Sequence, residues 1–138
     1  MTGPADDDAG PPPLVTVEGL DHIVLNVADV ERSLRFYCGL LGLEPVRLEE
    51  WRRGTVPFPS ARIDGSTIID LVAEERTGEN VDHFCLVVTP TDFEVLCDEG
   101  RLDVIDGPAP RFGAQGYGTS LYVRDPDANV VELRFYDT

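Results

Sequence analysis

Short apolar, β-prone runs alternate along the chain with polar or glycine-marked breaks, and their spacing predicts the architecture. Leu20 to Val27 reads as a first strand. Asp29 follows as a helix N-cap. Val30, Leu34, Tyr37 or Cys38, and Leu41 then fall on one helical face, and Gly42 serves as the C-cap. Leu43 to Glu49 and Pro57 to Ile63 read as weaker strands, joined by a loop that carries Trp51, Arg52 and Arg53. Asp64-Gly65 is a hairpin signal, and Thr67 to Ala73 is the strand after it. The order β-α-β-β-β then recurs. Val81 to Val88 is a strand. Thr89 or Thr91 caps a short helix reaching about Glu99, with Phe93 and Leu96 inward and Gly100 as its stop. Leu102 to Ile105 is a strand, and Asp106 to Gly118 is a long loop punctuated by glycine, read as a flexible lid. Thr119 to Arg124 is a strand, 125–129 a turn, and Val130 to Tyr136 the last strand.

The recurrence reaches individual side chains. His22 and His83 are the only two histidines, and each sits in an Asp-His pair that opens the first strand of its half, 61 positions apart. Asp70 in Ile68-Ile69-Asp70-Leu71 and Glu132 in Val130-Val131-Glu132-Leu133 stand 62 positions apart. This is an internal repeat. A carboxylate buried within an apolar strand is costly unless it is paired or binds a metal. Two imidazoles and two carboxylates in equivalent positions suit a divalent metal with positions left open to substrate. Taken singly, each histidine could be a satisfied core residue and Glu132 an outward residue paired with an arginine. The shared register favours ligation. For Asp70, a buried acid bonded to backbone, or one that orients a ligand, stays open. A metal held there acts as a Lewis acid on adjacent substrate oxygens, with Glu132 or Asp70 as general base. With Fe(II) or Mn(II), His22, His83 and Glu132 alone form a facial triad suited to oxygen chemistry.

Composition narrows the function classes. At 138 residues the chain is one domain by size, and 42% apolar residues suffice for a core. Net charge is −15, and all 11 basic residues are arginine. That balance argues against nucleic acid and against an anionic membrane surface. There is no apolar run of about 18 residues and no signal-peptide pattern, so a cytoplasmic location is expected. Cys38, Cys85 and Cys97 are odd in number and read as free, buried or half-buried thiols. Residues 1–18, with Asp6 to Asp8 and Pro11 to Pro13, read as a disordered acidic, proline-rich tail. Residues 19–138 are the single domain: a module at 19–75, a linker at 76–80 and a module at 81–138. Arg111, and Arg52 or Arg53, could hold an anionic substrate, and Trp51, Phe58, Phe112, Tyr117 and Tyr122 could line its pocket.

Three stretches carry a resemblance: Leu20 to Val27; Ser33-Leu34-Arg35-Phe36-Tyr37 with Leu40-Leu41-Gly42-Leu43; and Tyr122 to Leu133, with Asp125-Pro126-Asp127-Ala128-Asn129 at its centre. Together they resemble the vicinal oxygen chelate superfamily, which includes glyoxalase I, fosfomycin-resistance thiol transferases, extradiol dioxygenases, methylmalonyl-CoA epimerases and bleomycin-binding proteins. Ala128 stands where that family usually has glycine, and Asp70 where glyoxalase-like members usually have glutamate. The resemblance implies an α+β fold, two tandem β-α-β-β-β modules whose open curled sheet surrounds a central metal site. The implied ligands are His22, Asp70, His83 and Glu132, around a divalent ion such as Ni, Co, Mn, Fe or Zn. In three-ligand relatives the position of Asp70 does not bind metal. The implied function is a glyoxalase-like lyase or isomerase acting on a small molecule, in a homodimer. The alternatives on the same scaffold are a dioxygenase or thiol transferase, and a metal-free small-molecule (antibiotic) binding protein.

Overall fold

The computed structural model describes residues 10–75, 77–124 and 128–137. The first nine residues of the expected tail, Arg76 of the linker and most of the turn expected at 125–129 lie outside them. The N-terminal module contains β1 (Val17–Val27), α1 (Val30–Leu34), β2 (Glu44–Val46), α2 (Leu48–Arg52), β3 (Ser60–Asp64) and β4 (Thr67–Ala73). The C-terminal module contains β5 (Val81–Val88), α3 (Phe93–Glu99), β6 (Asp103–Gly113), β7 (Gly116–Arg124) and β8 (Val130–Phe135). All eight strands form one open mixed sheet in the order β2-β3-β4-β1-β5-β8-β7-β6. β1 pairs β4 in parallel and β5 pairs β8 in parallel, while β1 and β5 meet antiparallel at the seam. The order reads the same from either edge once each strand is exchanged for its repeat partner. Among the described residues no helix is long and apolar enough to cross a membrane.

Strand alternation divides the sheet into two faces. Leu25, Val27 and Leu71 point to one face, where they pack with Val30 and Leu34 of α1. Val88, Leu121 and Leu133 do the same beneath Phe93 and Leu96 of α3. Each helix thus covers its own module's half of one face. The alternate positions, His22 and Val24 on β1, Asp70 on β4, His83 on β5 and Glu132 on β8, open onto a cavity on the other face. Leu71 is fully buried, so Leu71→Ala should cost about 2–5 kcal/mol.

Several local expectations are corrected. The expected loop and lid at 106–118 is a hairpin of β6 and β7 turning at Ala114-Gln115. Prolines 108 and 110 are tolerated because β6 is an edge strand. Gly118 is required for close approach, since a Cβ there would lie 2.7 Å from the Phe135 carbonyl oxygen. Trp51 and Arg52 belong to α2, where Trp51 packs against the cluster of Val30, Leu34 and Leu71. The first helix changes to a π-helical turn over Arg35–Leu40, with Leu41 N donating to Phe36 O at 3.0 Å. This register change leaves Leu41 exposed rather than on the inward face. Asp92, not either threonine, caps α3, accepting from the Glu94 and Val95 amides. The tail boundary also moves. Leu14 and Val15 pack on the C-terminal core, and Thr89 N donates to Thr16 O at 2.9 Å.

Candidate metal centre

The seam between modules builds the centre. In the β1–β5 pairing, Leu20 opposes Leu86 and His22 opposes Cys85, so Asp21 is an extra residue in β1. Val24 opposes His83 and Leu25 opposes Val81, so Asp82 is an extra residue in β5. Each is a β-bulge, which breaks alternation and turns an aspartate toward the histidine that follows it. Asp21 Oδ2 lies 2.8 Å from His22 Nδ1, and Asp82 Oδ2 lies 2.7 Å from His83 Nδ1. With Nδ1 held in this way, each ring presents Nε2 to the cavity. Both Nε2 atoms lie 3.1 Å from a single oxygen, Glu132 Oε1. The rings stand nearly perpendicular, at 82°, with centroids 5.6 Å apart.

Glu132 is fixed through its other oxygen. Oε2 accepts from Ser120 Oγ at 2.7 Å and from Arg134 Nη2 at 2.9 Å, and all three residues are buried. Arg134 also donates to Phe112 O at 3.0 Å and to Tyr136 Oη at 3.1 Å. Tyr136 donates in turn to Asp21 Oδ1 at 2.5 Å, and the Ala114 amide donates to Asp21 Oδ2 at 2.9 Å. The network therefore runs from the carboxylate behind His22 to the carboxylate in front of it. Gly113 lets it close, because a Cβ there would come within 2.1 Å of Arg134 Nη1.

Asp70 is placed differently. Its Oδ1 accepts from Ser60 Oγ at 2.5 Å, and its Oδ2 stays 3.8 Å from His22 Nε2. His22, His83 and Glu132 bring one donor atom each within 4.8 Å of one another, a grouping able to hold a metal ion, and Asp70 falls outside it. Asp21, His22 and Cys85 form a second such grouping. Asp21 is already occupied by three hydrogen bonds, and burial pushes the Cys85 thiol up to about 11, so it resists becoming the thiolate a metal needs.

The charges follow from these contacts. Burial alone would raise Glu132, but the hydrogen bonds from His22 and His83, with the Arg134 charge, hold it far below the usual carboxylate range. Burial would lower His22, yet its bonds with Asp21, Cys85 and Glu132 raise it well above the ordinary value. His83 is raised likewise, by Glu132 and Asp82 against its burial. Asp70 is raised by burial, which the charge of His22 and the Ser60 hydrogen bond do not offset.

The cavity encloses about 440 Å³, a usual size for a small-molecule site. It brings together all four predicted metal-site residues with Phe58, Phe112, Tyr117 and Tyr122. Of the other predicted lining residues, Trp51 packs in the core. Arg52 ion-pairs with Glu31 at 2.8 Å, away from the cavity, while Arg111 lines it. Sequence reasoning missed Ser60, Ser120, Arg134, Tyr136 and Arg47. The serines do carry a signal, standing 60 positions apart in the same repeat.

The Glyoxalase/Bleomycin resistance protein/Dioxygenase superfamily model matches residues 19–133. The chain is 29% identical over 126 residues to "Virulence protein STM3117" of Salmonella typhimurium, covering 87% of this chain and 85% of that one. It is 29% identical over 125 residues to a "Probable lactoylglutathione lyase" of Synechocystis, covering 81% of this chain and 91% of that one. Among solved structures, the Mn(II)-bound glyoxalase from Novosphingobium aromaticivorans superposes with a TM-score of 0.63 at 19% identity, over 88% of this chain and 40% of that one. This last likeness is one of fold.

Proposed function

The chain belongs to the Glyoxalase/Bleomycin resistance protein/Dioxygenase superfamily, and we propose that it is a divalent-metal-dependent lyase or isomerase of glyoxalase type, acting on a small molecule with two adjacent oxygens. The observation that carries this is the convergence of His22 Nε2 and His83 Nε2 on Glu132 Oε1, each at 3.1 Å. Three donors of nitrogen and oxygen type, each oriented from behind, fit a borderline divalent ion. Such an ion, when bound, supplies Lewis acidity to the substrate oxygens.

His22, His83 and Glu132 are the proposed ligands. The Ser120 and Arg134 bonds to Oε2 keep Glu132 in place and leave Oε1 to the metal. Asp70 is the better proton carrier of the two carboxylates. It lines the cavity, Ser60 is its one hydrogen-bond partner among the described residues, and burial raises its pKa toward the range useful for general base and general acid work. Phe58, Phe112 and Tyr122 line the same cavity and give it aromatic walls.

A second reading has its own support. Because Asp70 stands outside the close donor group, two histidines and one glutamate are the facial-triad set used by Fe(II) oxygenases. Elemental analysis of protein purified without chelators or a metal-affinity tag tests both readings against a metal-free binding protein. About one divalent ion per chain, lost in His83→Ala, is expected. No metal, and no uptake of Ni, Co, Mn, Fe or Zn, overturns the enzyme readings. With metal bound, turnover that persists without oxygen supports the lyase or isomerase, and strict oxygen dependence supports the oxygenase.

A further inference from the structure

We propose that Arg47 forms an oxyanion subsite in the cavity, so that the substrate carries a carboxylate or phosphonate group besides the two oxygens directed at the metal centre. This rests on the reading of the centre given above. Arg47 lies between β2 and α2 and lines the same cavity as His22 and Glu132. Its guanidinium sits 3.9 Å from the Phe112 ring centroid and 5.0 Å from that of Phe58. Both rings pack against the guanidinium and stabilise its charge. One of its N–H groups reaches the Phe58 carbonyl oxygen at 3.4 Å, and Nε is buried with no hydrogen-bond partner.

This is unusual in a chain of net charge −15, where 26 acidic residues could supply a partner. Among the described residues no carboxylate pairs with Arg47. The other arginine lining the cavity, Arg111, is paired with Asp106 at 3.2 Å. Arg134 also has an Nε without a hydrogen bond, but Asp21 Oδ2 lies 3.9 Å from it and Glu132 takes its charge. Of the two arginines lining the cavity, Arg47 is the one with no carboxylate partner among the described residues, and it packs against two rings.

The backbone adds an independent observation. Arg47 adopts φ 61°, ψ 30°, the left-handed region that side chains other than glycine and asparagine rarely occupy. A strained conformation that holds a guanidinium with no carboxylate partner at the cavity wall points to a ligand that supplies the acceptor. The parallel N–H groups of a guanidinium edge match the two oxygens of a carboxylate or the oxygens of a phosphonate.

Hydroxamates test this, because they offer adjacent oxygens to a metal and can carry a second group. Mn(II)-loaded protein is titrated by calorimetry with acetohydroxamate, the monohydroxamates of succinate and glutarate, and 3-phosphonopropanohydroxamate. At least one acid-bearing probe should bind about tenfold more tightly than acetohydroxamate. In Arg47→Asn, which tolerates the left-handed backbone, that gain should shrink to about twofold or less. The arm that gains more identifies carboxylate or phosphonate. Equal binding of all probes to the wild-type protein, or a gain that survives in Arg47→Asn, overturns the subsite. If Arg47→Asn does not fold, Arg47→Lys replaces it; the lysine loses the paired donors, and full retention of the gain sinks the proposal. Failure of the protein to take up Mn(II) counts against the metal reading alone. Glutarate and phosphonoacetate are then titrated into the metal-free chain and followed by NMR. Binding lost in Arg47→Asn supports the subsite, and binding unchanged in the variant or absent from the wild type overturns it.

Discussion

The two modules place equivalent carboxylates on equivalent strands and then treat them differently. In the C-terminal module, Glu132 reaches both imidazoles, and a serine and a buried arginine hold its far oxygen. In the N-terminal module, Asp70 is one methylene shorter, has a serine and, among the described residues, no arginine partner, and stops 3.8 Å from the nearer imidazole. The position that repeats Arg134 is Val72, 62 residues earlier. The two equivalent positions thus differ in charge environment: Glu132 is held far below the usual carboxylate range, while burial raises Asp70 above its ordinary value. The Asp-His pairs diverge as well. The Asp21 side chain is fully buried, whereas that of Asp82 is 55% exposed.

The largest test of this asymmetry is Arg134→Met. Removing the buried cation leaves Glu132 and Asp21 with the imidazoles alone, and we expect a loss of about 3–5 kcal/mol in chemical denaturation. Val72→Ala at the matching position should cost about 1 kcal/mol. Similar costs at both positions would show that the cation does not distinguish the modules.

Metal affinity comes next. Glu132→Ala should abolish stoichiometric binding. Asp70→Ala should keep it within about tenfold while depressing turnover, because Asp70 stands outside the donor group and is the proposed proton carrier. Loss of metal in Asp70→Ala would restore the four-ligand set. The pair behind the histidines offers a smaller contrast. Asp21→Asn should weaken metal binding by more than about tenfold, and Asp82→Asn by less, because water already shares the Asp82 carboxylate.

The smallest effects are those of pH on metal-free protein. His22 and His83 are raised from 6.5, so their stabilisation is complete below that value and fades as pH climbs through the raised values. Glu132 is depressed from 4.5, so its share is present above that value and fades as pH falls below it. Melting temperature should therefore fall toward both extremes. Near pH 7, metal uptake should displace at least the His22 proton, a release measurable with an indicator dye in weak buffer.

Much of this was legible in the sequence, because a repeat carries its own control. Two histidines and two carboxylates in register pointed to four side chains that the fold does bring to one cavity. Local composition misled where tertiary context decided the outcome. Gly107, Gly113 and Gly118 read as a loop, yet two neighbouring strands and the passage of Arg134 beside Gly113 dictate glycine there. The helical period could not show the π-turn that exposes Leu41, nor could it show that Trp51 sits on a helix. Tyr136 meets Asp21 across 115 positions, and Arg47 meets Phe112 across the cavity. No short window holds either contact.

The seam between β1 and β5 has one more consequence. Each module contributes one imidazole, so neither half holds a complete centre. A chain severed within the linker at 77–80 would yield two complementary fragments. Their reassociation along the seam would restore the donor set, and metal capture would then serve as a reporter of fragment reassembly.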